Sequence, residues 1–350
     1  MMKLNIKTIA LLLCVLLAII YVTWNLVYVT DLNALLSTAN HQSEDMLLRL
    51  KAPKSDGQIT SDGSFLKEKP AILEPLANRE LKPAGEAPPE EELERIWNYV
   101  YQRQYHCTDS KYLGGRENGD GAYDLCVEKP FWPDRTGQGK CLVYSFGVAN
   151  DFTFDDEMAK LGCEVHSFDP STELADNSVR ESGVIFHKVG ISNEDDDNGF
   201  NGWKMRTLKT ILRELGHQGR HLDFLKVDTD KGSTGFEDIV MQQIIETGLY
   251  KCVRQYSMEI HMAGPLTNSE NLNRCRLLYR QMRTLNDGGW RLFNTTDNVR
   301  AAKVLVDPNY KQTMNRQHIV NYKKVILWET SFVNFDVSGT CQEVLFDRKP

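Results

Sequence analysis

The chain has 350 residues, 41% of them hydrophobic and 25% charged, with a formal net charge of −7. That is enough apolar material for one sizeable core with appendages. Acidic residues number 48 against 41 basic ones, so no basic excess exists to hold a phosphate backbone, and no nucleic-acid partner is expected.

Residues 1–5 read as a cytoplasmic tail and 6–30 as a membrane span. Ile9 to Ile20 is unbroken apolar sequence, and Tyr21, Trp24 and Tyr28 follow at interfacial positions; crossing a bilayer takes roughly 20 residues. Lys3 and Lys7 precede the run, whereas Asp31, Glu44 and Asp45 follow it. The positive-inside rule therefore predicts a single-pass type II membrane protein, its body in the lumen of the secretory pathway, ER or Golgi. An uncleaved signal anchor is the expected form, and a cleaved signal peptide releasing a secreted body is the alternative. Residues 31–92 read as a flexible lumenal stem. From Lys51 to Glu92 the composition is dominated by Lys, Pro, Gly, Glu and Ser, which cannot bury enough surface to fold alone.

Region 93–140 opens with a predicted helix, Leu93 to Tyr105, followed by a loop rich in Gly, Asp and aromatic residues, of the kind that often rims a site. Of the eight cysteines, Cys14 lies in the span and seven fall in the body without CxxC or His-paired zinc spacing. Disulfides are expected in an oxidising lumen, with at least one cysteine left over. Cys107 with Cys126 is the preferred pair, because both flank a Gly-rich loop with little core of its own. Asn294-Thr295-Thr296 is a glycosylation sequon in this topology.

Residues 141–337 alternate strand and helix. Cys141 to Phe146 is a strand ending at Gly147. The next helix carries Phe154, Met158 and Leu161 on one face, Thr153 and Asp156 as a capping box, and Gly162 as its stop. A second strand, Cys163 to Phe168, ends on Asp169, which completes a βαβ opening and implies a parallel sheet. Further strands are expected at Gly183 to Val189, Asp223 to Val227, Cys252 to Ile260, Trp290 to Asn294 and Lys324 to Phe335, with helices at Thr207 to Leu215, Phe236 to Thr247 and Arg274 to Leu285. Residues 338–350 form a C-terminal tail.

In such a sheet the ligand lies over the first turn, and an acid after the second strand reaches ribose hydroxyls. Gly147 and Asp169 hold those stations. The turn from Ser145 to Asp151 has a single glycine and cannot cradle a pyrophosphate. A nucleoside cofactor without phosphates suits it, and S-adenosylmethionine is the obvious one; Ser145, Gly147, Asp151, Asp169 and Gly190 are the candidate cofactor residues. Methyl transfer needs donor and nucleophile held in line, with a base where the acceptor is a hydroxyl. His261 is the candidate base, with Asp228 or Glu259 as the candidate orienter, all at strand carboxyl ends. Asp228, Asp230 and Glu259 offer oxygens to a hard cation, but nothing in their spacing requires one and no metal is expected.

The segments YDLC at Tyr123 to Cys126, CLVYSFGVANDFTFDDEMAKLGCEVHSFDPS at Cys141 to Ser171, HKVGIS at His187 to Ser192, DFLKVD at Asp223 to Asp228, MEIH at Met258 to His261 and SFVN at Ser331 to Asn334 resemble a methyltransferase-like family related to the FkbM-type methyltransferases. The resemblance covers about residues 93–337. It implies an α/β, Rossmann-like class I methyltransferase sheet of about seven mostly parallel strands with helices on both faces, and S-adenosylmethionine as cofactor; it leaves the acceptor open among small molecules, glycans and proteins. Related sequences read Asp-x-Glu-Gly after the fourth strand, where this chain has Asp228-Thr229-Asp230-Lys231-Gly232. Two other readings remain: a type II Golgi glycosyltransferase using the Asp228-Thr229-Asp230 triplet, and a non-catalytic scaffold with the same fold.

Overall fold

The computed structural model describes residues 82–115, 121–132, 140–231, 234–262, 264–298, 320–321, 324–337 and 341, all within the unit Leu73–Pro350. The span expected at 6–30, the stem up to residue 81 and the tail apart from Cys341 lie outside these. Among the described residues no helix is long and apolar enough to cross a membrane.

The chain enters through helix α1 (Pro89–Tyr101) and the hairpin β1 (Ser110–Gly114) and β2 (Ala122–Cys126). The opening βαβ unit is β3 (Leu142–Phe146), α2 (Thr153–Lys160) and β4 (Glu164–Phe168). Short strands β5 (Ser178–Val179), β6 (Ile185–His187), β7 (Gly190–Ile191) and β8 (Met205–Arg206) lead to α3 (Leu208–Glu214) and β9 (Phe224–Val227). A small hairpin, β10 (Asp230–Lys231) and β11 (Thr234–Gly235), precedes α4 (Glu237–Glu246) and β12 (Gln255–His261). Helix α5 (Ser269–Asp287), β13 (Trp290–Asp297), the pair β14 (Val320–Asn321) and β15 (Lys324–Val325), and β16 (Leu327–Asn334) close the order.

The main sheet runs β13-β16-β12-β9-β3-β4-β6-β5. Strands β6, β4, β3, β9 and β12 are mutually parallel, β16 is antiparallel to both neighbours, and β5 is antiparallel to β6. Every residue of β3 is buried, as a parallel strand covered on both faces requires. Leu142, Tyr144 and Phe146 face a core shared with α1, α3, α4 and α5, while Val143 faces the core holding Phe154 and Met158 of α2 and Tyr123 and Leu125 of β2. The α/β architecture with helices on both faces is thus present. From β3 the chain steps out to β4 and β6, then returns to β9 on the other side, so the sheet has a switch point between β3 and β9, where doubly wound sheets bind ligands.

Several boundaries differ from the sequence reading. Helix α1 starts inside the expected stem, with Pro89 in its first turn beside Glu90, Glu91 and Glu92, residues that suit a helix N-terminus. Glu92 is buried, accepts hydrogen bonds from the backbones of Gly85 and Ala87, and pairs with Arg95 and Arg276. The stem composition therefore ends in an anchored segment. The predicted capping box is not formed. Asp151 accepts from Thr153 N and Oγ1 at 3.1 and 2.7 Å, and Asp156 instead binds Arg180 through both oxygens and accepts from Ser182. Leu161 is 39% exposed rather than on the buried face, because the helix stops at Lys160 and Gly162 turns the chain at φ +90°. The Cys107–Cys126 pair is present as expected; Cys141–Cys163 and Cys252–Cys341 were not foreseen, and Cys275 is free and buried.

Candidate functional site

The carboxyl ends of β3, β4, β9 and β12 open into a cleft of about 400 Å³, within the size range of small-molecule sites. Gly147, ending β3, has φ +77°, and a Cβ there would lie 1.6 Å from the Asp228 carbonyl oxygen. Only glycine permits the ends of β3 and β9 to meet this closely. One wall is formed by Asp169 after β4. Its Oδ2 accepts from Ala149 N at 2.7 Å, and its Oδ1 accepts from Ser171 N and Oγ at 2.8 and 2.6 Å. The carboxylate thereby ties the loops after β3 and β4 together and faces the cleft with a fixed orientation. Asp151 and Gly190 also line the cleft, with Trp203, Met205 and Phe236 as its apolar wall. Ser145 does not line it. It is fully buried on the α2 side, where its hydroxyl lies against Asp155.

The opposite wall is a knot of ionisable groups. Asp228 and Glu259 line the cleft with His261. His261 Nε2 lies 3.0 Å from Asp230 Oδ1 and 3.2 Å from Glu259 Oε2, while its backbone N–H donates to Glu237 Oε1 at 2.6 Å. Glu237 is fully buried and pairs with Arg274 at 2.7 Å. Burial alone would depress His261, but the carboxylates of Glu259, Asp230 and Glu237 raise it well above its usual value. The imidazole consequently holds its proton at neutral pH, which removes it from the role of resting base. Burial lifts Glu259, His261 opposes the lift and Asp228 reinforces it, and the carboxyl settles at about 7, where a general base is best poised. Asp228 is buried enough to be raised, yet Lys226, whose Nζ is 3.4 Å away, outweighs that with help from Glu259 and His261 and keeps it below its usual value.

Besides Glu237 and Arg274, four partners of these groups escaped the sequence reading. Glu329 sits directly across from Glu259 in the β12/β16 pairing; burial and the charges of Glu259 and Asp228 raise it well above the usual carboxylate value. Asn298 Nδ2 donates to both, at 2.7 Å to Glu259 and 3.3 Å to Glu329. Lys226 donates to the Gly147 carbonyl at 3.1 Å. Tyr123, buried on β2, lies against Asp228 and Glu329. A usable signal existed for two of them, since Lys226 in FLKV and Glu329 in LWETSFVN interrupt runs that must be buried, and buried charges are paired or functional.

The group brought within ligating distance of one another here is Asp230, Glu259 and His261, whose donor atoms lie within 4.8 Å. It replaces the Asp228, Asp230 and Glu259 oxygen set by one with an imidazole nitrogen. Asp230 pairs with His261, whereas Asp228 faces Lys226. Asn294, the sequon asparagine, lies in β13; its Nδ2, the atom to which a glycan would be joined, donates to Asp124 Oδ2 at 2.6 Å.

Residues 66–310, more than half of the chain, match a family model described as "Methyltransferase domain". The chain is 27% identical over 219 residues to the human "Probable methyltransferase-like protein 24", covering 59% of this chain and 57% of that one. It is 29% identical over 221 residues to the Rattus norvegicus protein of the same description, covering 59% and 58%. It thus spans under two thirds of the length of these curated relatives.

Proposed function

The chain belongs to the methyltransferase-domain family, and from that premise we propose that the cleft takes S-adenosylmethionine and delivers its methyl group to a hydroxyl-bearing acceptor. The observation that carries this reading is the sign of the cleft. Asp151, Asp169, Asp228, Asp230 and Glu259 line it against two cations, Lys226, engaged by Asp228 and the Gly147 carbonyl, and His261, engaged by Asp230 and Glu259. Such a lining attracts a cation and repels the phosphates of a nucleotide sugar. When bound, the cofactor supplies an electrophilic methyl on a positively charged sulfur. In this assignment Asp169 accepts from the ribose hydroxyls, Gly147 and Ala149 let the chain pass close to the nucleoside, and Trp203 and Met205 cover its apolar surface. On the far wall Glu259, near neutrality, takes the acceptor's proton, Asp228 orients the acceptor, and the His261 imidazolium steadies both carboxylates.

The location belongs to the same proposal: a lumenal body anchored through residues 6–30. The charge asymmetry around that segment and the three disulfides favour an oxidising compartment. The test is calorimetric titration of the detergent-purified full chain with S-adenosylmethionine, and separately with a uridine diphosphate sugar plus manganese. Micromolar binding of the first, weakened at least tenfold in Asp169→Ala at an unchanged circular dichroism spectrum, is expected. Silence toward the first in a folded sample refutes the proposal, and binding of the second in its place reassigns the cleft to sugar transfer.

A further inference from the structure

A second group of side chains lies away from the cleft. Glu164 opens β4, His166 follows it two residues on, and His217 sits in the loop after α3; none of the three lines the cleft. His166 Nε2 and His217 Nε2 both point at Glu164 Oε1, from 3.2 and 3.1 Å, and one donor atom from each residue falls within 4.8 Å of the others. Two imidazoles and a carboxylate around a tetrahedral zinc, with bonds of about 2.0–2.2 Å, stand about 3.3 Å apart. Each of them is also held from behind. His217 Nδ1 lies 2.7 Å from the Tyr144 hydroxyl, His166 Nδ1 lies 2.8 Å from His187 Nε2, and Glu164 Oε2 accepts from Arg220 at 2.9 Å. Outer partners of this kind fix imidazole tautomers and carboxylate orientation in metal sites.

One set of tautomers suits a metal. If His166 Nε2 gives its lone pair to a metal, its Nδ1–H donates to His187 Nε2, and His187 Nδ1–H donates to the Asn177 carbonyl oxygen, 3.1 Å away. Every partner in the chain is then matched. We propose that Glu164, His166 and His217 bind a divalent transition-metal ion of the zinc class, which fastens the loop after α3 to the start of β4. The two imidazoles are buried, while the Glu164 side chain is 30% exposed, which leaves a water-accessible fourth position. Nitrogen with one carboxylate selects zinc or its neighbours over magnesium or calcium.

The test is zinc titration of the chelator-stripped full chain, read by calorimetry and elemental analysis, with cobalt(II) absorption as the geometric probe. Expected are one zinc per chain at this site and four-coordinate cobalt bands. Both weaken at least tenfold in His217→Gln and in Glu164→Gln, and both persist in His261→Gln, which disrupts the cleft cluster instead. Glu164→Gln sits at the solvent edge and decides the matter where His217→Gln fails to fold. No zinc bound by the folded wild type, or zinc lost in His261→Gln and retained in Glu164→Gln, overturns the proposal.

Discussion

Gly147→Ala tests the geometry on which the site depends. The residue has φ +77°, and an L side chain in the left-handed region costs about 1–2 kcal/mol. The added Cβ would stand 1.6 Å from the Asp228 carbonyl oxygen and 2.5 Å from its carbon, so the ends of β3 and β9 must part by more than an ångström. Neither strand is free to yield: Gly147 N donates to the Phe168 carbonyl at 2.9 Å and Asp228 N to the Phe146 carbonyl at 3.0 Å. Overpacking of this kind costs about 1–3 kcal/mol, and together the two effects predict a destabilisation of about 2–5 kcal/mol. Urea unfolding of the full chain, wild type and variant, reads it from the shift in midpoint at constant slope. Because the displaced carbonyl belongs to Asp228, cofactor affinity in the folded variant is expected to fall as well. A variant within about 0.5 kcal/mol of wild type, the range of neutral surface changes, would refute the close approach of the two strands.

Glu259 makes a pH-dependent prediction. Its folded pKa of about 7 exceeds the ordinary 4.5, so the fold favours the protonated form; its stability contribution is complete below pH 4.5 and is lost as pH rises toward 7. His261 stays protonated in both folded and unfolded chains below about 5.5, which leaves pH 4.5–5.5 as the clean window. Relative to Glu259→Gln, the wild type should lose about 1 kcal/mol across it, measured by denaturant midpoints at each pH; parallel curves would contradict the assignment. The Cys141–Cys163 bridge joins the start of β3 to the residue before β4 and closes a sequence separation of 22. The double variant Cys141→Ala/Cys163→Ala is expected to lose about 3 kcal/mol by loop entropy, and an unchanged melting midpoint would show that the pair does not form in the folded protein.

The local order of the fold was legible in the sequence, because each element's signal is carried by neighbours along the chain. The βαβ opening from Cys141 to Asp169, the Gly162 stop and the apolar faces of α3 and α4 depend on periodicity and turn chemistry alone. The same holds for the placement of Gly147, Asp169, Asp228, Glu259 and His261 at strand carboxyl ends, which follows from strand boundaries in a parallel sheet. The roles of those residues did not follow. His261 looked like a base because a free imidazole titrates near neutrality, but Asp230, Glu237 and Glu259, from three separate elements, surround it and keep it charged. Glu259 became the titrating group because the fold buries it and sets Asp228, from the neighbouring strand, against it, with His261 opposing the rise. A capping box was written in Thr153 and Asp156, yet Arg180, 24 residues on, captured the aspartate. Backbone conformation is chosen largely by short-range sterics and burial, which the sequence alone determined. Protonation states and pairings depend on charges a few ångströms apart in space and far apart in the chain, and only the tertiary structure decided those.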